Sequence, residues 1–320
     1  MSSRPGSPPA GAVCCRTAFL VGALAAHAAQ TAFLPGHASQ ISSVVRGATE
    51  RASQSIVQGA RPDVRQGPAL IFPGGGLFFW WQLGAVERLL REGPPSGPVV
   101  GASAGALAAT LYACDVDPSE ARRLALDLTV EAKLLDRGVW GLVGRWGPVV
   151  RDWLGELLPE DAADRCADVK MLHLRRRRLL WRRCAVGPYE DRDQLIDAAL
   201  ASAHVPFALD GRFQTRYRGR DTIDGSFLLK NPKRERRAVE LALGHAGDYV
   251  RVDWRADLPD KQRLSDAFEL PGRTEGALRA WVGAVGERGY AWADRELAPG
   301  GALEEFLSPH TAVGDPEPPG

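Results

Sequence analysis

The amino-acid sequence predicts an α/β fold in which a central, largely parallel sheet carries helices on both of its faces. Two units indicate this fold, because each joins a short apolar run to a helix-like stretch through a glycine-rich turn. The first unit runs from residues 69–72 to residues 83–90, and the second from residues 98–100 to residues 106–113. The 320 residues are 45% hydrophobic and 25% charged, so the chain can bury a sizeable core without disulfide bonds.

The turn of the second unit reads Gly101-Ala102-Ser103-Ala104-Gly105, which is the G-x-S-x-G pattern of a nucleophile elbow. In an elbow the serine occupies a strained turn between a strand and a helix. The flanking Gly101 and Gly105 are needed because a Cβ there would collide with the neighbouring strand and helix. The pattern predicts that Ser103 is a nucleophile pointing into a cleft. An ordinary tight turn is the alternative interpretation of this pattern taken alone.

The turn of the first unit contains three consecutive glycines, Gly74, Gly75 and Gly76. Consecutive glycines let several backbone N–H groups converge, and the following helix dipole adds positive charge, so the turn suits a phosphate or an oxyanion. A phosphate-binding loop would end in Lys and Ser/Thr, or would be followed by an acidic ribose-binding residue. Trp80 and Trp81 stand at the loop exit instead. The turn is therefore better interpreted as an oxyanion hole that faces Ser103.

A serine hydroxyl needs a base to accept its proton. The sequence has six histidines, which are His27, His37, His173, His204, His245 and His310. The first two lie in an N-terminal segment, and the next two stand beside apolar residues, which favours packing or surface roles. His245 and His310 remain as possible triad members, and the order Ser103, Asp224, His245 is that of an α/β-hydrolase triad. His245 lies in a charged, helix-like stretch with no turn signature, but the triad remains an open alternative.

Asp224 is the stronger candidate for the base, because an apolar β-branched residue precedes the pair Asp224-Gly225. The glycine-rich loop, the G-x-S-x-G pattern and the Asp-Gly pair, in this order, resemble the patatin-like phospholipase domain, whose members use a Ser–Asp dyad without histidine. The resemblance implies that Ser103 is the nucleophile and Asp224 the general base. It also implies an oxyanion hole built from backbone N–H groups of Gly74, Gly75, Gly76, Leu77 and Ala104.

The resemblance extends over residues 69–233, about half of the chain, because further blocks occur in the same order. These blocks are residues 72–84, 157–162, 193–206 and 230–232. Their details are similar to the adipose triglyceride lipase and adiponutrin branch of the family. Two departures concern the site itself: Phe79 replaces a glycine of the loop, and Ser226 replaces the usual Gly or Ala after Asp-Gly. No Arg or Lys follows the loop, which points away from plant patatins.

The predicted function is a lipid acyl hydrolase that cleaves acylglycerols or membrane glycerolipids through an acyl-enzyme, without cofactor or metal. A transacylase would use the same intermediate. A catalytically weak lipid-surface binding protein is the alternative from another class. The five cysteines are odd in number and lack C-x-x-C spacing, which argues against a zinc site and a disulfide framework. The net charge of +1 gives no indication of nucleic-acid binding.

The predicted domains are a targeting presequence at residues 1–66, a catalytic domain at 67–235, a helical extension at 236–300 and a disordered tail at 301–320. The first acidic residue is Glu50, and an apolar segment at residues 17–26 precedes small residues, as in a cleavable targeting peptide. The segment resembles the two-part plastid presequences of algae. A secretory signal, a mitochondrial presequence and an uncleaved membrane tether are the alternatives.

Two further features concern partners. The first is the arginine run at residues 175–178 with Arg182 and Arg183, which is either the solvated face of a strand or a contact for anionic headgroups at a membrane or lipid droplet. Five tryptophans would serve as interfacial anchors or as core residues, namely Trp80, Trp81, Trp140, Trp146 and Trp153. The second feature is a predicted helix at residues 274–296. It carries an apolar stripe that would cap the domain or bind a protein co-activator; the stripe is Leu278, Trp281, Val282 and Val285.

Overall fold

The computed structural model describes residues 68–134, 143–226, 232–244, 249–258 and 274–304. The chain divides into two units, Met1–Pro62 and Asp63–Gly320, and all described residues belong to the second. The predicted presequence, His245 and His310 lie outside the described residues.

The described residues form seven strands and nine α-helices. The strands are β1 Ala69–Phe72, β2 Val99–Ala102, β3 Val169–Arg177, β4 Leu180–Val186, β5 Thr215–Tyr217, β6 Arg220–Asp224 and β7 Tyr249–Arg251. The helices are α1 Phe79–Leu90, α2 Ala104–Ala113, α3 Pro118–Glu131, α4 Trp146–Leu157, α5 Ala162–Arg165, α6 Arg192–Ser202, α7 Pro232–Leu243, α8 Trp254–Asp257 and α9 Glu275–Leu297.

The strands form one sheet in the order β5-β6-β3-β2-β1-β7, and β4 also pairs with β3. The four strands β7, β1, β2 and β3 are parallel to one another, while β4, β5 and β6 are antiparallel additions around β3. Helices cover both faces of this sheet. The predicted α/β fold, with a largely parallel central sheet flanked by helices, is confirmed.

Strand β3 positions the end of β2, which leads to Ser103, and the end of β6, which carries Asp224. Strand β4 pairs with β3 from Met171 onward, so β2 and β6 must share the opposite edge of β3. Strand β2 ends at Ala102, opposite Leu172, and β6 ends at Asp224, opposite the next residue, His173. The two strands run in opposite directions, so their carboxyl ends meet head to head on one edge of β3.

The hydrophobic core lies on both sides of the sheet. On one side, α7 packs three small or branched residues against β1, β2 and β3; they are Ala238, Val239 and Ala242. The larger cluster on the other side joins α1, α2, α4, α6 and α9. Trp81 and Trp153 are buried in it, and Trp80 and Trp146 pack half-buried against it. Trp140 lies outside the described residues.

Helix α9 packs directly along α1 through glycines that allow the two backbones to touch. A Cβ at Gly289 would lie 1.8 Å from the Trp81 carbonyl oxygen, and a Cβ at Gly84 would lie 1.9 Å from the Gly286 carbonyl oxygen. Distances this short leave no room for any side chain. The predicted apolar stripe therefore faces α1, α3 and their neighbours; its buried members are Leu278, Val282 and Val285.

This close packing gives a stability prediction. We expect Gly289→Ala to lower the free energy of unfolding by about 1–3 kcal/mol, because the methyl group forces α9 away from α1. Gly283→Ala is the matched control on the same helix, because no atom lies within 4 Å of its added Cβ. The control should be neutral or stabilising by up to about 1 kcal/mol. Urea unfolding measures both, and equal stability of the two variants would contradict the packing.

Candidate active site

Ser103 adopts the strained backbone of a nucleophile elbow. It stands between β2 and α2 with φ 56° and ψ −128°, a region that non-glycine residues rarely occupy. A Cβ at Gly105 would lie 1.9 Å from the Phe72 carbonyl oxygen, and one at Gly101 would lie 2.6 Å from Ala106 Cα. The strand and helix therefore pack too closely for any residue but glycine on either side of Ser103.

A buried serine on α6 supports this strained turn. The Ser202 hydroxyl accepts a hydrogen bond from the Ser103 N–H at 3.1 Å and donates one to the Leu172 carbonyl at 2.8 Å. Ser202 has no exposed surface. Ser202 lies within the sequence block at residues 193–206, but no sequence pattern indicated a role for it. It links the elbow to β3 through a side chain.

Asp224 is held at the end of β6 by the same elements. Its N–H donates to the His204 carbonyl at 2.9 Å, and the Gly225 N–H donates to the Ser202 carbonyl at 3.0 Å. A Cβ at Gly225 would lie 1.7 Å from the Leu172 carbonyl oxygen, which explains the Asp-Gly pair. The carboxylate is buried, and its Oδ1 accepts from Ser226 N–H at 2.7 Å and Ser226 Oγ at 2.6 Å.

The glycine-rich loop brings these two parts of the site together. The position that a Gly74 Cβ would occupy lies 3.2 Å from Ser103 Cβ and 2.5 Å from Ser226 Oγ. The structure thus brings Gly74, Ser103 and the Asp224–Ser226 turn to one point. Among the described residues, the Ser103 hydroxyl forms no hydrogen bond.

The glycine-rich loop leads directly into a helix. Gly76 has φ 55° and opens a 3-10 turn that leads directly into α1. A buried side chain braces the turn, because Gln82 Nε2 donates to the Pro73 carbonyl at 2.7 Å. Phe79, where the resembled family has glycine, begins α1 and packs edge-on against Trp153 in the core. The Ala104 N–H is in the first turn of α2, where N–H groups lack intrahelical acceptors.

Two residues of α8 support the loop from the C-terminal part of the chain. The Trp254 ring stacks on Phe78 at 4.2 Å, and its Nε1 lies 2.7 Å from where a Gly75 Cβ would be. Arg255 lies over the Trp254 ring and donates to the Gly74 carbonyl at 3.4 Å. No sequence pattern singled out either residue.

The described histidines near the site are buried packing residues. His173 is directly opposite Asp224 on β3, and its Nε2 lies 2.9 Å from the Ala198 carbonyl oxygen. Burial lowers the pKa of His173 to about 3, so its ring is neutral over the working range of most enzymes. Burial also lowers the pKa of His204, which contacts the Arg212 carbonyl.

Two further features of the described residues concern metals and membranes. They contain no group of three or more His, Cys, Asp or Glu side chains arranged to hold a metal ion. None of the helices they form is both long enough and apolar enough to cross a bilayer.

Comparison with known proteins identifies relatives. A family profile described as patatin-like phospholipase matches residues 70–235 of the chain. An omega-hydroxyceramide transacylase of Mus musculus is 29% identical over 169 residues, which cover 51% of this chain and 28% of the mouse protein. The chain thus spans little more than a quarter of this relative's length. Trp254, Arg255 and α9 lie beyond the segment that the family profile matches.

The role of Ser202 as a positioning residue can be tested. We expect Ser202→Ala to leave two buried backbone groups without their partner, which lowers stability by about 1–3 kcal/mol. Because the elbow then loses its anchor, kcat should fall about tenfold to a hundredfold with little change in KM. Thr110→Val is the matched control: it removes an equally buried hydroxyl, which bonds only within α2 to Ala106. A kcat loss as large in the control would contradict a positioning role.

Proposed function

This chain belongs to the patatin-like phospholipase family, and from that membership we propose that it is a lipid acyl hydrolase whose Ser103 and Asp224 form a catalytic dyad. The observation that carries the proposal is the strained Ser103 elbow, which meets the Asp224 turn head to head on one edge of β3 beside the glycine-rich loop.

In the proposed mechanism, Ser103 Oγ attacks the carbonyl carbon of a fatty acyl ester while its proton passes to Asp224. Backbone N–H groups stabilise the tetrahedral oxyanion, aided by the N-terminal dipole of α2; they belong to Gly74, Gly75, Gly76, Leu77 and Ala104. The alcohol leaves with the proton from Asp224. Water then attacks the acyl-enzyme, again with Asp224 as base, and releases the fatty acid.

The proposed mechanism includes an adjustment of the Ser103 side chain when substrate binds. The Ser103 hydroxyl has no partner among the described residues, and catalytic hydrogen bonds of free enzymes often tighten only in the substrate complex. Ser226 holds Oδ1 of Asp224 through two donors, which fixes the orientation of the carboxylate. In the proposed mechanism, substrate binding brings the Ser103 side chain toward the Asp224 carboxylate, while the Ser103 backbone is held by Ser202.

We also propose which class of lipid the protein cleaves. The resemblance to the adipose triglyceride lipase and adiponutrin branch favours acylglycerols, with membrane glycerolipids as the other candidate. The similarity to a transacylase raises a second use of the same acyl-enzyme, in which the hydroxyl of an acceptor lipid replaces water. A Ser-His-Asp hydrolase and a catalytically weak lipid-surface protein are the competing functions.

Location and partners follow from the same reasoning. We propose that the chain works at a membrane or lipid-droplet surface, that residues 1–66 direct it to a plastid, and that the exposed face of α9 is available to a protein co-activator. Secretion, mitochondrial import and membrane tethering through residues 1–66 are the alternatives to the plastid.

The dyad is tested with the full-length chain and two variants, Ser103→Ala and Asp224→Asn. We expect each to lower fatty-acid release by about a thousandfold or more, since each removes an obligatory reacting group. The panel contains triacylglycerol, phospholipid and galactolipid, each with and without an added long-chain alcohol as acyl acceptor. The exposed Ser119→Ala and Asp193→Asn are matched controls and should retain activity. If the wild-type protein released fatty acid no faster than the variants, the hydrolase proposal would be wrong. The lipid-surface binding protein would then be the remaining interpretation.

The pH profile separates the dyad from a triad. A catalytic imidazole works as the neutral base and is lost as pH falls below about 6.5, by about tenfold per pH unit. A carboxylate base stays ionised well below that pH, so we expect kcat/KM to hold between about pH 6.5 and 5. His173 does not titrate in this window because its pKa is about 3. A tenfold loss of kcat/KM per pH unit between about pH 6.5 and 5 would favour a histidine base.

A further inference from the structure

One segment of the sheet carries a strong positive charge in a nearly neutral protein. From residue 169 to residue 188 the sequence has one lysine and six arginines but no acidic residue, whereas the net charge of the whole chain is +1. These residues form β3, β4 and the turn between them. We call residues 175–183 the arginine hairpin.

The arginine hairpin lines a cavity of about 440 Å³. The lining residues are Arg175, Arg176, Arg177, Arg182, Arg183, Cys184 and Arg220. One of these arginines, Arg176, forms an ion pair with Asp221, whose Oδ2 lies 3.5 Å from Arg176 Nη1. A cavity with six guanidinium groups on its walls has the composition of an anion site, because guanidinium groups bind phosphate and carboxylate oxygens in pairs.

Two details concern the positive charge of Arg175. Arg175 and Arg182 stand directly opposite each other on β3 and β4, and like charges in that position are destabilising. The Nε of Arg175 is also buried without a hydrogen-bond acceptor among the described residues. A bound anion would remove both penalties, since it would accept from the guanidinium groups and neutralise their repulsion.

The tip of the arginine hairpin is apolar. The chain turns at Arg178, which has φ 57°, and the next two residues, Leu179 and Leu180, are 80% and 54% exposed. The two exposed leucines at the tip and the arginines behind them follow the order of the apolar and phosphate layers of a membrane surface. The leucines fit the acyl-chain boundary, and the arginines behind them fit the phosphate level.

The arginine hairpin also extends from the end of the sheet at which Ser103 and Asp224 lie. Strand β3 passes the ends of β2 and β6 at Leu172 and His173 and continues to Arg177. These four further residues carry the tip about 13 Å beyond the level of Ser103 and Asp224, at roughly 3.3 Å per residue. A membrane surface that binds the tip would thus lie near Ser103 and Asp224.

We propose that the arginine hairpin is a docking element for anionic phospholipid bilayers. The arginine-lined cavity takes lipid phosphate groups, and Leu179 and Leu180 enter the acyl boundary. The exposed leucines favour a bilayer over a nucleic acid, which has no apolar layer to receive them. This inference goes beyond the proposed hydrolysis and does not depend on the dyad, because binding is separate from bond cleavage.

The test is flotation of the full-length Ser103→Ala protein with lipid vesicles, so that no hydrolysis alters the lipid. We expect binding to vesicles of phosphatidylcholine with phosphatidylserine, and little binding to phosphatidylcholine alone. Arg177→Gln/Arg182→Gln should lower the partition coefficient about tenfold or more. Leu179→Ser/Leu180→Ser should also lower it about tenfold, without changing the salt dependence. All four residues are surface-accessible, so these variants should keep the fold.

The matched control is Arg123→Gln/Arg151→Gln, which removes two exposed arginines from α3 and α4 with the same change in net charge. It should bind within about twofold of the parent protein, because the removed charges lie away from the arginine hairpin. Equal losses in the control and the hairpin variant would overturn the proposal in favour of a non-specific charge effect. Arginine-dependent binding to single-stranded RNA without binding to anionic vesicles would overturn it in favour of a nucleic-acid site.

Discussion

The close approach of two strand ends to the Leu172 carbonyl is the constraint on which the rest of the site depends. Ser202 Oγ donates to this oxygen and accepts from the Ser103 N–H, while Gly225 lies so close to it that no side chain fits. Strand β3 thereby fixes the nucleophile turn and the Asp224 turn on one edge. Backbone strain of about 1–3 kcal/mol at Ser103 is sustained because hydrogen bonds and packing on both sides determine the turn.

The segment with the family pattern does not complete the site by itself. Trp254 and Arg255 contact the glycine-rich loop from α8, and α9 lies against α1, the helix into which that loop leads. The glycines of α1 and α9 let backbones touch, so the loop is braced from behind by a rigid pair of helices. The C-terminal part of the chain therefore contributes to the geometry of the glycine-rich loop.

The positive charge along β3 increases from His173, beside the site, toward the arginine hairpin. At the level of the site the histidine is neutral and the Asp224 carboxylate is held by Ser226, in surroundings with little access to water. Farther along the same strand the arginines accumulate, and at its tip two leucines are exposed. The buried residues of the site and the charged surface lie apart from each other along the same strand, β3.

The sequence by itself determined the fold class, the elbow, the glycine-rich loop and the Asp-Gly turn. These features depend on local backbone geometry, in which the spacing of glycines around Ser103 or after Asp224 directly limits the conformations. Only the tertiary structure decided the roles of Ser202, Trp254 and Arg255, whose contacts with the site join residues up to 181 positions apart. It also decided that Arg175 stands opposite Arg182. No local pattern encodes such contacts, because they arise only when distant segments pack against each other.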